Sequence, residues 1–199
     1  RGIYDAYNPD SRKMYWDEYV NKNLFSYGVD AWWCDGSEPI DGDWNAKAND
    51  IAYNPKARYE LNTRELHALL GIMRSNTFSL NHSRGVYENQ RLTTNDKRVV
   101  NLTRSTYAGQ QRYGTIVWNG DTKATWHDFA QQIPSGLNYM ITGSPYWTID
   151  AGAFFVKSSN SWFWKGNFQK GTMDMGFREF YVRNLQFCQW LPLMRSHGT

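Results

Sequence analysis

Cysteine is scarce in this chain. Only Cys34 and Cys188 occur in 199 residues, each among apolar neighbours, one in an expected strand and one in an expected helix. Both read as buried free thiols, so they carry no information on compartment. Long apolar runs are missing too. None approaches the roughly 20 residues a membrane helix needs, and no leader-like segment opens the sequence, so no membrane partner is expected. Charge of one sign is also lacking. The formal net charge is +3 and the basic residues are scattered, which argues against a nucleic-acid platform. There is no glycine-rich dinucleotide fingerprint and no P-loop. His67, His82 and His127 have no metal-ligand spacing with one another or with the cysteines, so neither a metal nor a cofactor is expected. No internal repeat or low-complexity linker appears. The length suffices for one sizeable core and forces no second domain.

What the chain has is aromatic side chains: 10 Trp, 13 Tyr and 10 Phe. Trp32, Trp33, Trp118, Trp147, Trp162 and Trp164 fall around expected strand ends and loops. Exposed rings there would offer flat apolar faces to the C–H surfaces of sugars. The most informative stretch is Tyr27-Gly28-Val29-Asp30-Ala31-Trp32-Trp33-Cys34-Asp35-Gly36-Ser37-Glu38, followed by Pro39. Gly28 reads as a helix stop, residues 29 to 34 as a short buried strand, and Asp35 as the start of a loop. A carboxylate at the C-terminal end of a strand is where an α/β barrel presents a nucleophile to a sugar. The alternative is that Asp35 only caps a turn.

Strands alternate with helices along the rest of the chain. Asn8-Pro9 supplies a cap and a first-turn proline for a helix reaching about Phe25. Asn62 and Glu65 form a capping box before Leu66, Leu69, Leu70 and Met73, which mark one face of the next helix. Residues 75 to 96 read either as a continued helix or as a long loop. Strands are expected at Arg98 to Thr103, Gly114 to Trp118 and Pro145 to Ile149, with a last one over Leu191 to Met194. Trp126, Phe129, Ala130 and Ile133 form one helical stripe, and Phe177, Tyr181, Leu185 and Cys188 another.

The five strand ends deliver Asp35, Arg104, Asp121, Asp150 and His197. Ionisable residues recurring at those places fit a (β/α)8 barrel, whose active site forms where the C-terminal ends of the strands meet. An ordinary doubly wound sheet with polar turns is the competing fold, but Arg104 and His197 do not suit a capping role.

Five segments in order carry a resemblance to glycoside hydrolase family 31, the α-glucosidases and α-xylosidases. Trp33, Asp35, Glu38 and Pro39 match the Trp-x-Asp-x-x-Glu-Pro nucleophile motif. Asn101 to Gly109 is similar to the Arg-Ser-Thr-Phe-Ala-Gly segment, and Trp118-Asn119-Gly120-Asp121 to the Trp-x-Gly-Asp that carries the acid/base. Asp150-Ala151-Gly152-Ala153-Phe154 resembles the Asp-x-x-Gly-Phe region, with Ala153 where glycine is usual. Arg195-Ser196-His197 resembles the Arg-x-His segment that closes the sugar pocket. Val117, where a basic residue or histidine is frequent, and the Gly36-Ser37 pair are departures that bear on substrate preference.

The resemblance implies a TIM barrel and a retaining α-glycosidase of the α-glucosidase or α-xylosidase type acting on an oligosaccharide or α-glycoside. Asp35 would attack the anomeric carbon, and Asp121 would protonate the departing oxygen and then deprotonate the incoming water. Those roles require different protonation states at one pH. Arg104 would reach sugar hydroxyls and favour ionised Asp35, or else form a structural ion pair. His197 would hydrogen-bond ring hydroxyls. Asp150 would bind sugar or shape the pocket, with an N-cap role still open. Trp33, Trp118 and Phe154 would form apolar walls or pack in the core, and Glu38 would brace the nucleophile loop. The strands align with the fourth to the eighth of the family barrel, so residues 1–199 are expected to be a partial catalytic barrel whose other partners are the remaining domains of the same polypeptide. An α-glucan lyase and a non-catalytic sugar-binding homologue are the alternative functions.

Overall fold

The structure is a computed structural model. It describes residues 3–38, 56, 60, 64, 67, 68, 70–160 and 163–197. These form two compact units, the first of residues 3–38 and 64–117, the second mainly of residues 118–197. The capping-box pair Asn62 and Glu65, with Leu66 and Leu69, lies outside the described residues, as do Pro39 and Trp162.

In the first unit, helix α1 (Pro9–Met14) starts where the sequence places it, with the Asn8 side chain accepting from the backbone N–H of Asp10 at 2.8 Å. It widens into a π-helical stretch, Tyr15–Asn21, then tightens to a 3-10 turn, Phe25–Tyr27, which Gly28 ends in the left-handed region. The widened turns bury Trp16 and Val20 against Trp32, Val86 and Val99. Strand β1 is shorter than expected, Trp32–Cys34, and Val29 is exposed before it. It pairs in parallel with β2 (Asn101–Thr103), which pairs in parallel with β3 (Thr115–Trp118), Trp33, Leu102 and Ile116 lying in one row.

A short helix α2 (Ile72–Ser75) follows a break at Gly71 and leaves Met73 exposed rather than on a buried face. The ambiguous stretch after it is a helix, α3 (Phe78–Thr93). Its serines, glycine and histidine at buried positions mask the apolar period that would have identified it.

Gly114 fixes the register that puts these strand ends side by side. Its φ is +67°, and a Cβ there would lie 2.2 Å from the carbonyl oxygen of Val99. Its own carbonyl accepts from Asn101 N at 2.8 Å. Gly114→Ala therefore combines a left-handed alanine with a backbone collision and should destabilise the intact polypeptide by about 2–5 kcal/mol. Denaturant unfolding checks this, and a loss under about 0.5 kcal/mol, the size of an ordinary surface change, would contradict the close approach.

In the second unit, helix α4 (Trp126–Ile141) is capped by Thr125, whose Oγ1 accepts from Asp128 N at 3.0 Å. Its buried face is not the expected stripe. Gln132 and Gly136 point inward, whereas Trp126, Ala130 and Ile133 are exposed and Phe129 is half-buried. Gly136 is there because the Trp147 indole fills the space its Cβ would need. Strand β4 (Trp147–Thr148) and helix α5 (Met175–Cys188) follow, and Phe177, Tyr181, Leu185 and Cys188 face the core as the periodicity predicts. The expected last strand is reduced to a single parallel bridge between Ala151 and Ser196. Of the described tryptophans expected at open strand ends, Trp32, Trp118 and Trp147 are buried, Trp33 is 55% exposed and Trp164 is intermediate.

Candidate active site

Asp35 follows the last residue of β1. Its Oδ1 accepts from the backbone N–H of Gly36 at 2.8 Å and lies 3.0 Å from Arg104 Nη1. Both contacts fall on Oδ1, and among the described residues Oδ2 has no protein partner. Arg104 follows β2 and turns its other edge to Glu38, with Nε and Nη2 each 2.6 Å from Oε1. One guanidinium thus ties two carboxylates on the loop after β1. The parallel register explains the geometry, since Cys34 pairs with Thr103 and the next residue of each strand is the carboxylate or its cation. Glu38, expected to brace this loop, is held there by the Arg104 guanidinium.

Asp35 and exposed Trp33 line a cavity of about 460 Å³ with Tyr4, Tyr15, Trp32 and His82. Tyr4 stacks on Tyr15 with ring centroids 4.9 Å apart, and its hydroxyl lies 2.7 Å from His82 Nδ1. Burial raises the Tyr4 phenol well above its usual range, so its hydroxyl stays protonated beside the imidazole. Burial pushes the Cys34 thiol up to about 12, which keeps it an inert thiol. It likewise pushes the His82 imidazole down from 6.5 to about 4.

His82 thus makes a stability prediction. Its folded pKa is depressed, so between about pH 6.5 and 4 the unfolded chain takes up a proton that the folded chain refuses. The contribution is complete above pH 6.5 and is lost as pH falls towards 4, by about 3 kcal/mol for that shift. The fall in unfolding free energy between these pH values should be smaller in His82→Gln than in the parent. Equal slopes would contradict the buried neutral imidazole.

The second unit gathers the other expected residues. Asp121, half-buried, sits on the loop after β3. That loop is tied to α4 by a short hydrogen bond from Asn119 Nδ2 to Gln132 Oε1, and Thr122 O accepts from Phe154 N at 3.1 Å and Phe155 N at 2.9 Å. Phe154 faces His197 with ring centroids 4.9 Å apart and Trp164 at 6.2 Å. His197 N donates to Ala151 O at 3.0 Å. Asp150 is 2% exposed and makes an ion pair with Arg195 at 2.5 Å, and the Arg195 guanidinium lies 5.3 Å over the Trp118 ring. Trp118 is therefore a 1%-exposed support beneath a cation, not an open ring. The backbone oxygen of Asp150 accepts from Ala153 N at 2.8 Å, closing the turn that follows. Ala153 has a φ of +62°, the left-handed conformation that makes glycine the usual residue there.

Arg195 is the residue the sequence pattern left without a role. It follows the expected strand over Leu191 to Met194 and lies two positions before His197. Among the described residues no group of three or more His, Cys, Asp or Glu could hold a metal, and no helix is long and apolar enough to cross a membrane.

The sequence pattern of the glycosyl hydrolases family 31 TIM-barrel domain matches residues 1–199. The chain belongs to family 31. Its α/β fold, with parallel strands followed by helices, is that of the family's TIM-barrel domain. An alpha-xylosidase of Saccharolobus solfataricus is 37% identical over 197 residues, which is 98% of this chain and 23% of that protein. An alpha-glucosidase of the same organism is 26% identical over 211 residues, 98% of this chain and 28% of that protein. The crystal structure of a family 31 alpha-xylosidase from Xanthomonas citri superposes with a TM-score of 0.72 at 34% identity, covering 99% of this chain and 20% of that one. The family 31 segment here thus spans about a quarter of the length of these curated relatives.

Proposed function

We propose that this chain is part of the catalytic barrel of a retaining α-glycoside hydrolase that removes terminal α-linked sugars from oligosaccharides. Asp35 is the nucleophile and Asp121 the acid/base. The observation that carries this is the grip of Arg104 on Asp35 and Glu38, which holds one oxygen of a strand-end carboxylate and leaves the other to react. Oδ2 of Asp35 attacks the anomeric carbon while the Asp121 carboxyl gives its proton to the departing glycosidic oxygen. Asp121, now a carboxylate, takes a proton from water as that water attacks the same carbon. The ester bond breaks and Asp35 is restored. Trp33 offers an exposed apolar face beside the nucleophile, Phe154, His197 and Arg104 contact the bound sugar, and buried Asp150 shapes the pocket by holding Arg195 over Trp118. The chain contributes roughly strands four to eight of the barrel, and the rest of a longer polypeptide contributes the others and the flanking domains, a reading supported by the length of the relatives.

Greater identity to the alpha-xylosidase than to the alpha-glucosidase of one organism favours an α-xyloside as the substrate. The test is turnover of a panel of aryl α-glycosides by the intact polypeptide, with the product followed by NMR. Release of free xylose, first as the α-anomer, is expected. An anhydro sugar would make it a lyase, and no turnover of any α-glycoside would overturn the reading.

A further inference from the structure

We propose that Gln110 is a positioning residue that acts through Arg104, an inference that rests on the roles given above to Arg104 and Asp35. Gln110 is fully buried and opens the 3-10 turn Gln110–Tyr113 that follows the Arg104 loop. The two N–H groups of its Nε2 are shared among Ser79 Oγ and Ser83 Oγ, both at 3.0 Å, and Ser105 O at 3.2 Å. Its Oε1 accepts from Tyr107 N at 2.9 Å. One buried amide therefore holds two residues of the loop, Ser105 and Tyr107, against two hydroxyls presented one turn apart by α3.

Ser105 is where this network meets the nucleophile loop. Its carbonyl oxygen also accepts from Ser79 Oγ at 2.8 Å and Thr103 Oγ1 at 3.0 Å. Its hydroxyl lies 2.9 Å from that of Ser37, which sits between Asp35 and Glu38. Arg104 is the residue immediately before Ser105, so pinning Ser105 fixes the point from which the guanidinium reaches both carboxylates. A long, flexible arginine side chain keeps a two-carboxylate grip only if its backbone is held. A buried, densely connected polar network is stiff, and that stiffness transmits from the amide to the cation.

The test uses the intact polypeptide and Gln110→Met, which keeps the volume and removes the hydrogen bonds. Phenylglyoxal modification of Arg104, read by peptide mass spectrometry, needs no turnover. In the parent, Arg104 should be protected; in Gln110→Met it should react at least about fivefold faster, because local opening exposes it, while exposed Arg183 reacts alike in both. The kinetic arm compares kcat/KM for an aryl α-xyloside in two backgrounds. Gln110→Met should lower it roughly 10- to 100-fold in the parent, the scale of a misplaced catalytic group, and cause almost no further loss beside Arg104→Gln. A purely structural glutamine would cause the same loss in both backgrounds. If Gln110→Met does not fold, Ser37→Ala, which cuts the link from Ser105 to the Asp35 loop, is read in the same two ways. Unchanged Arg104 labelling, or a loss that persists in full beside Arg104→Gln, overturns the proposal. Should the parent polypeptide turn over no α-glycoside, the enzymatic reading falls, while the labelling comparison still decides whether Gln110 holds Arg104.

Discussion

Asp35→Asn in the intact polypeptide should lower kcat/KM for an aryl α-xyloside by at least about 10⁴-fold, or roughly 5 kcal/mol of transition-state stabilisation. An amide oxygen cannot form the glycosyl ester, so the loss falls on the step that makes the intermediate. Folding should be little affected. Asp35 is exposed, the amide oxygen can still accept from Gly36 N, and Arg104 keeps its contact with Glu38. A change in unfolding free energy under about 1 kcal/mol is therefore expected, the size of a partly solvated ion pair. Near-parental rates in a purified, folded variant would remove Asp35 from the mechanism.

Asp121→Ala should separate substrates by their leaving group. A good leaving group departs without a proton, so glycosylation of an activated aryl glycoside is largely spared. A poor leaving group needs the acid and should lose about 10²–10⁴-fold in rate, the usual range for general acid catalysis. Added azide, a nucleophile that needs no base, should then accelerate breakdown of the intermediate and yield a glycosyl azide. Equal losses for good and poor leaving groups, with no azide product, would assign the acid/base to another residue.

The strand ends were legible because their chemistry is local. Asp35 after Trp33, and Arg104 after β2, stand one residue beyond paired strand positions, and the parallel register brings them together without help from distant parts of the chain. Packing was less legible. The stripe Trp126, Phe129, Ala130 and Ile133 has the right period for a buried face, yet α4 turns Gln132 and Gly136 inward instead. Gln132 is needed to bind Asn119, and Gly136 to admit Trp147, both contacts that no period reveals. Trp118 reads equally as a pocket wall or a core residue, and what buries it includes Arg195, remote in sequence, whose guanidinium lies over its ring. Gln110 gives no sequence signal at all, because its partners come from α3 and from the loop of Arg104. The last strand failed for a related reason. Backbone pairing there is limited to one bridge, with the side chains of Asp150 and Arg195 making the lateral contact.

The central claim, that Asp35 is the residue that becomes glycosylated, is tested most directly by trapping the intermediate. A 5-fluoro-α-xylosyl fluoride, whose ring fluorine slows both steps while its fluoride leaves readily, should accumulate the ester in the intact polypeptide. Digestion and mass spectrometry should then find one sugar on the peptide containing Trp33, Asp35 and Glu38, with fragmentation assigning it to Asp35. A sugar on Glu38, Asp121 or Asp150, or rapid turnover of the fluoride with Asp35 replaced by asparagine, would contradict the account.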